Sequence, residues 1–199
     1  ARKSRGLGDV YKRQVFSKVD IEQSSDVVIG VMGAAADQYI DSISESQGKV
    51  RAISGGTAVQ VAGNRWALLV TEQAAEALVT NSSAEKVSEA LWQYHEIIDA
   101  QPNLTKAEQN EHIPQALNLQ AIGGISFTKG CYTGQEVISR MKRAGKTNRH
   151  LVKLALDKPL IPTKAKLLLE SEEAGFITSV ASHVRMGDLA LGYRYRKFS

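Results

Sequence analysis

The chain has 199 residues, 43% hydrophobic, 23% charged and 6% aromatic, with a formal net charge of +4. This composition fits a globular protein of one generous domain or two small ones. The longest mainly apolar run, Val27 to Ala36, falls far short of the roughly 20 residues that cross a bilayer.

The net charge has a local origin. Residues 1–14 hold Arg2, Lys3, Arg5, Lys12 and Arg13 against Asp9 alone, a net of +4. The rest of the chain balances 20 bases with 20 acids. Gly8 to Gln14 back-translates naturally as GGA GAT GTG TAT AAG AGA CAG, which resembles the end of a transposase-type sequencing adapter. Ser4 to Leu7 fits the preceding adapter bases in the same frame. Residues 1–14 are therefore expected to be a translated adapter rather than a basic arm or targeting peptide, the alternative being a disordered basic tail, and are set aside from fold reasoning. The biological sequence is then expected to begin near Val15, in mid-gene.

Val27 to Met32 is a short β-branched run ending at Gly33 and reads as a buried strand. Ala34 to Ser46 places Ala35, Tyr39, Ile40 and Ile43 near helical spacing. Gly55-Gly56 marks a turn, and strands are expected at Thr57 to Val61 and Trp66 to Thr71 around Gly63-Asn64. Glu72 to Thr80 reads as a helix. Ser83 to Asp99 reads as another, with Ala84, Val87, Leu91, Tyr94 and Ile98 on one side. That order predicts an α+β module with a sheet covered on one face.

Pro102 to Pro114 is polar and reads as a long loop, followed by a short strand at Ile125 to Phe127. After His150 the texture changes. Leu151 to Leu156, Ala165 to Glu170, Phe176 to Ala181 and Asp188 to Tyr193 are short strand-like runs separated by Pro162, Gly175 and Gly187. Regular short strands with turn signals predict a small antiparallel β-barrel. The domains expected are thus residues 15–145, α+β, and residues 146–199, the barrel.

Charge divides along the chain as well. Residues 15–136 carry 7 bases and 15 acids, net −8, whereas residues 137–199 carry 13 bases and 5 acids, net +8. Arg140, Lys142, Arg143, Lys146 and Arg149 follow one another with no acid between them. Such a run is either a solvated face attracted to the acidic half or an anion site for phosphate, a carboxylate-bearing cofactor or RNA. No aromatic residues interleave it, so stacking on single strands has no support.

Lys129-Gly130-Cys131-Tyr132-Thr133-Gly134-Gln135-Glu136 is the most unusual stretch. Thr133 and Glu136 have the spacing of a capping box, with Thr133 as the expected N-cap. Val137, Ile138 and Met141 give the following helix an apolar side, and Gly145 is a natural stop. Cys131, the only cysteine, excludes an internal disulfide and fits a reducing compartment. Placed before a helix N-terminus, with Lys129 nearby, its thiol is expected to titrate below the free value of about 8.5. Gly130 and Gly134 would let the backbone approach a ligand closely or take positive φ. Gln135 and Glu136 would orient a ligand or serve as ordinary first-turn residues. A lone cysteine is also commonly an inert buried thiol. No Cys-His-Asn set can be assembled, which leaves a protease reading little support. His95, His112, His150 and His183 stand far apart, and no metal site is expected.

The segments Ile113-Pro114-Gln115, Asn118-Leu119-Gln120, Gly123-Gly124-Ile125-Ser126-Phe127 and KGCYTGQE, with Arg140 following, closely resemble the signature of the YgfZ family. Its members bind folate and are related to the aminomethyltransferase T-protein of glycine cleavage. Val15-Phe16-Ser17-Lys18-Val19 is also similar to bacterial members. The likeness covers most of Val15 to Arg149, is strongest from Ile113 to Arg140, and fades beyond. One departure follows Trp92, where the family's W-x-x-x-x-I-E-A-G pattern meets Ile97-Ile98-Asp99-Ala100.

The resemblance implies a T-protein-like, three-domain fold around a central folate site, only part of which this chain would supply. It implies tetrahydrofolate or a derivative as cofactor, and iron–sulfur enzymes such as a tRNA methylthiolation enzyme as partners. It also implies a role in tRNA modification in the bacterial cytoplasm. Cys131 becomes the candidate reactive thiol, with Lys129 beside it. Gly130, Tyr132, Gly134, Gln135, Glu136 and Arg140 become candidate cofactor-binding residues. The alternatives are a true folate-dependent aminomethyltransferase, against which the cysteine motif argues, and an RNA-binding accessory domain resting on the basic cluster. No membrane partner is expected, and direct tRNA binding stays open.

Overall fold

A computed structural model describes residues 23–104, 111–145, 147–156, 165–183 and 187–195. The adapter-like residues 1–14 lie outside them, as does Lys146 of the basic cluster. The chain divides into two compact units at Val87–Ser88. The composition change near residue 145 therefore falls inside the second unit.

The first unit is built on a four-stranded antiparallel sheet of β1 (Val27–Met32), β2 (Val50–Ile53), β3 (Gly56–Ala62) and β4 (Arg65–Val70), in the order β1-β4-β3-β2. Helices α1 (Ala36–Ile43) and α2 (Glu72–Asn81) flank its strands in sequence. Alternation decides which side chains go in. Trp66, Leu68 and Val70 of β4 point to one face and join Ala58, Ala36 and Ile40 in the core, with Ala74, Ala75 and Leu78 of α2 packed against it. The Trp66 indole N–H donates to Asp37 Oδ1 at 2.7 Å, so the polar edge of the largest core ring is satisfied. Thr71 caps α2, its hydroxyl accepting the Ala74 N–H.

β1 is not the buried strand its sequence suggests. It lies at the sheet edge, and its alternate residues face outward, with Val28 68% exposed. A continuous β-branched run carries no alternation, so the sequence cannot distinguish a strand covered on one face from one covered on both.

The second unit contains α3 (Glu89–Ile98), a 3₁₀ turn (Pro114–Leu117), α4 (Gln135–Ala144), and strands β5 (Arg149–Leu156), β6 (Lys166–Leu169), β7 (Glu172–His183) and β8 (Gly187–Tyr195). Among the described residues the strands do not close into the expected barrel. They make a four-stranded antiparallel sheet in the order β5-β8-β7-β6, with β5 and β6 at its two edges. Closure needs those edges to pair, whereas here a helix and a turn cover the apolar side. Tyr94 and Ile97 of α3, with Ala116 and Leu117 of the turn, bury against Leu151, Ala181 and Leu191.

Two polar bonds tie the layers of this unit together. Asn118, in the left-handed region at φ 54°, donates Nδ2–H to the Leu151 carbonyl at 3.0 Å. Lys153 Nζ donates to the Ile98 carbonyl at the end of α3, at 2.9 Å, where the helix dipole favours a cation. The helix expected from Ser83 is confined to Glu89–Ile98, leaving Ala84 and Val87 outside it. Ile125 to Phe127 lies in a loop rather than a strand.

Candidate functional site

The motif forms the loop entering α4 and the first turn of that helix. The helix begins one residue later than a capping box requires. Its N-cap is Gly134, at φ 85° and ψ −3°, and no side chain caps it. In this left-handed conformation Gly134 turns the chain directly into the helix, and its carbonyl accepts the Ile138 N–H at 3.1 Å. Thr133 thus stands outside the capping position, and the predicted Thr133–Glu136 box is not formed. Glu136 still places an acid in the first turn, where the dipole favours it. Gly145 ends the helix as expected, at φ 61°, its N–H reaching the Met141 carbonyl at 3.1 Å.

Cys131 is a free, exposed thiol three residues ahead of that cap. Lys129 is held above the Tyr132 ring, Nζ 4.6 Å from the centroid, and its backbone N–H donates to Ser126 Oγ at 3.2 Å. The Tyr132 hydroxyl donates to the Ser126 carbonyl at 3.2 Å. Ser126 therefore holds the loop from both sides of the cysteine. Gly134 takes the positive φ foreseen for the motif glycines, while Gly130 is not among the positive-φ residues.

Beyond the loop, Gln135, Glu136, Val137, Ser139, Arg140 and Arg143 line an open concavity of about 620 Å³ along α4. Of the expected ligand residues, Gln135, Glu136 and Arg140 share this surface. Cys131, Lys129, Gly130 and Tyr132 lie in the loop before it and are not among its lining residues. Ser139 was missed by motif reading, although its spacing was informative. Once the helix start is known, residues 136, 139, 140 and 143 fall on one face by the i, i+3, i+4 rule. Lys142 points elsewhere, its Nζ 4.0 Å from the centroid of the Phe127 ring. The inner side of α4 rests on Ile138, which is buried. Gln115, also missed as a supporting residue, donates Nε2–H to the Ile138 carbonyl at 2.7 Å.

Among the described residues, no cluster of three or more His, Cys, Asp or Glu side chains could hold a metal ion. Nor is any helix among them long and apolar enough to cross a membrane.

No protein-family model matches the chain. Individual relatives do. A protein named tRNA-modifying protein YgfZ from Vibrio atlanticus (strain LGP32) is 79% identical over 145 residues, which cover 73% of this chain and 45% of the relative. Its namesake from Aliivibrio fischeri (strain MJ11) is 44% identical over 150 residues, 75% of this chain and 47% of that protein. The one from Vibrio vulnificus (strain YJ016) is 41% identical over 151 residues, again 75% and 47%. The chain spans about half the length of the curated relatives it matches. Over the three quarters of its own length that aligns with them, it belongs to the YgfZ family.

Proposed function

We propose that this chain carries the cysteine-bearing part of a YgfZ-type protein that supports tRNA modification. In this reading the protein keeps iron–sulfur enzymes active, a tRNA methylthiolation enzyme among them, with tetrahydrofolate or a derivative as cofactor and a T-protein-like folate-binding fold. The carrying observation is Cys131, free and exposed in a loop whose backbone is fixed by Ser126 and Gly134. An inert packing thiol would be buried. A thiol displayed on a fixed loop is suited to react with, or hand over, a group from outside the chain. The name shared by the relatives favours this reading over a glycine-cleavage aminomethyltransferase.

Lys129 and Tyr132 shape the loop around the thiol, and Gly130 leaves its backbone open to approach. Gln135 and Glu136 supply an amide and a carboxylate at the start of α4, and Arg140 follows one turn on. Tetrahydrofolate, when bound, supplies a carrier of one-carbon units. The amide, carboxylate and guanidinium of Gln135, Glu136 and Arg140 would suit only its polar end. The concavity is open, and the described residues that line it all come from α4, whereas cofactor sites of this kind bury about 70–90% of the ligand. This chain by itself is therefore expected to bind tetrahydrofolate weakly in a calorimeter, and tight binding would refute the reading of a shared, incomplete site.

The function is tested in a bacterium deleted for its own YgfZ protein. A full-length YgfZ protein containing this sequence should restore methylthio groups on tRNA, measured by mass spectrometry of nucleosides. Cys131→Ser, which preserves size and exposure, should not. Equal restoration by both proteins would overturn the role given to Cys131.

A further inference from the structure

From Val137 to Arg149 the chain has five bases and no acid, and α4 presents two of them in a particular way. Arg140 and Arg143 are exposed, three residues apart, and line the same open concavity. Side chains at this spacing have Cβ atoms roughly 5–6 Å apart on one helix face. Among the described residues neither guanidinium has an ion pair or hydrogen bond. The helix dipole accounts for a cation in the last turn, where Lys142 and Arg143 stand. It does not account for Arg140, which precedes that turn.

The neighbouring aromatic rings narrow the ligand class. Phe127 is covered by Lys142 at 4.0 Å and Tyr132 by Lys129 at 4.6 Å, so each ring already carries a cation on one face. The arginines, by contrast, are unpaired among the described residues, and their planar guanidinium groups match phosphate oxygens two at a time. The open surface along this helix face also leaves room for a polymer that runs across it. We propose that the Arg140–Arg143 face of α4 binds the phosphate backbone of RNA, without reading its sequence. Only the choice of tRNA as that RNA rests on the function proposed above. Glu136, the one acid among the described residues that line this surface, opposes the binding and limits its strength.

The experiment is fluorescence anisotropy of the full chain with a labelled tRNA transcript, at about 50 to 200 mM salt, the range over which phosphate binding weakens steeply. Affinity should fall linearly with salt on a log–log plot. Arg140→Gln with Arg143→Gln should flatten that slope by about 1 to 2, at roughly 0.7–0.9 for each phosphate no longer neutralised. Arg140→Lys with Arg143→Lys should retain the slope, and Glu136→Gln should tighten binding. Circular dichroism confirms that each variant is folded. Two controls locate the effect: Lys49→Gln with Lys86→Gln in the first unit, and Arg2→Gln, Lys3→Gln and Arg5→Gln at the N-terminus. The flattening should persist in the background of either control.

The proposal is overturned if the double Gln variant keeps the wild-type slope. It is equally overturned if all tRNA binding vanishes with the N-terminal bases, or if anionic phosphatidylglycerol vesicles are bound and tRNA is not. Cys131 plays no part in this measurement, so loss of RNA binding and failure of the Cys131→Ser test are separable results.

Discussion

The buried Gln115 side chain donates to the backbone carbonyl of Ile138, a residue 23 positions away, across 2.7 Å. This bond fixes the helix that follows the cysteine loop against the turn Pro114–Leu117, which itself packs on the sheet through Ala116 and Leu117. The site is thus positioned from behind by a residue that never meets the solvent-facing motif.

That arrangement predicts a particular order of stabilities. Gln115→Ala should lose about 1–3 kcal/mol, because it removes a buried hydrogen bond and leaves a void. Gln115→Met fills the same volume, and it also removes Gln115 Oε1, which has no hydrogen-bond partner among the described residues. The Met variant loses the same bond but leaves no void and no orphaned amide oxygen, so it should lose distinctly less than Gln115→Ala. Urea denaturation checks both, read as midpoint shifts at constant slope. Equal losses in the two variants would mean that the bond itself, rather than packing, holds the turn to the helix.

Gly134 gives a second test. A Cβ built there meets nothing within 4 Å, so any cost of substitution comes from φ 85° and not from collision. Gly134→Ala should cost about 1–2 kcal/mol, the usual penalty of the left-handed region, and Gly134→Asn distinctly less. Gly134→Val should be the worst of the three, since a β-branched residue tolerates positive φ least. Hydrogen exchange of the α4 amides is the right observable, because it reads the local opening of a single helix apart from the unfolding of the whole chain. Equal exchange in all three variants would exclude the glycine as the device that starts α4.

These two residues also show what the sequence could and could not convey. The spacing of Thr133 and Glu136 is a local pattern, and it pointed to the right helix with a start one residue early. The backbone instead used the glycine next to the threonine, a choice between two competent caps that no pattern resolves. β3, β4 and α2 were legible because the Gly63-Asn64 turn and the alternation of Trp66, Leu68 and Val70 are strong signals. β2 escaped because its four residues, Val50–Ile53, are held by pairing with β3 rather than by a pattern of their own. The missing barrel has a similar cause, since sequence shows where strands lie but not which edges meet. At the site, the motif and its cysteine could be read directly. The shared face of Arg140 and Arg143 follows from helical spacing, whereas Gln115 depended on a contact between distant segments.

The edge of the second sheet carries a pH-dependent pair. Lys166 on β6 and Glu173 on β7 form a salt bridge at 2.7 Å. The hydrogen bond from Lys166 to Glu173, then the negative charge of Glu173, raises the Lys166 pKa above 10.5. A raised lysine pKa contributes stability that is fully present below the unfolded value and is lost as pH rises through the folded one. The contribution should thus hold through neutral pH and disappear only above about pH 10. Because the lysine is fully exposed, added salt should weaken the pair. Melting temperatures of wild type and Lys166→Gln, compared between neutral and strongly alkaline pH, should converge at the alkaline end. A constant gap would show that Lys166 acts through its methylenes and not its charge.

Cys131 yields the most direct prediction, because exposure and fixed position have separate experimental signatures. An exposed thiol should be alkylated in the native protein under conditions where buried groups are silent. Labelling should therefore be complete without denaturant, and its rate should not track global unfolding when urea is added below the transition. The loop around it is held by Tyr132, whose hydroxyl reaches the Ser126 carbonyl at 3.2 Å and whose ring carries the Lys129 ammonium. Tyr132→Leu removes both interactions, while Tyr132→Phe keeps the ring and removes only the hydroxyl. If the loop geometry governs the thiol, Tyr132→Leu should change the labelling rate more than Tyr132→Phe, with both proteins equally folded. Lys129→Gln should change it as well, since the cation nearest in sequence is then gone. A native thiol that labels only on unfolding would remove Cys131 from the chemistry and return it to packing. Identical rates in all four proteins would keep it accessible, but would show that Lys129 and Tyr132 do nothing to its reactivity.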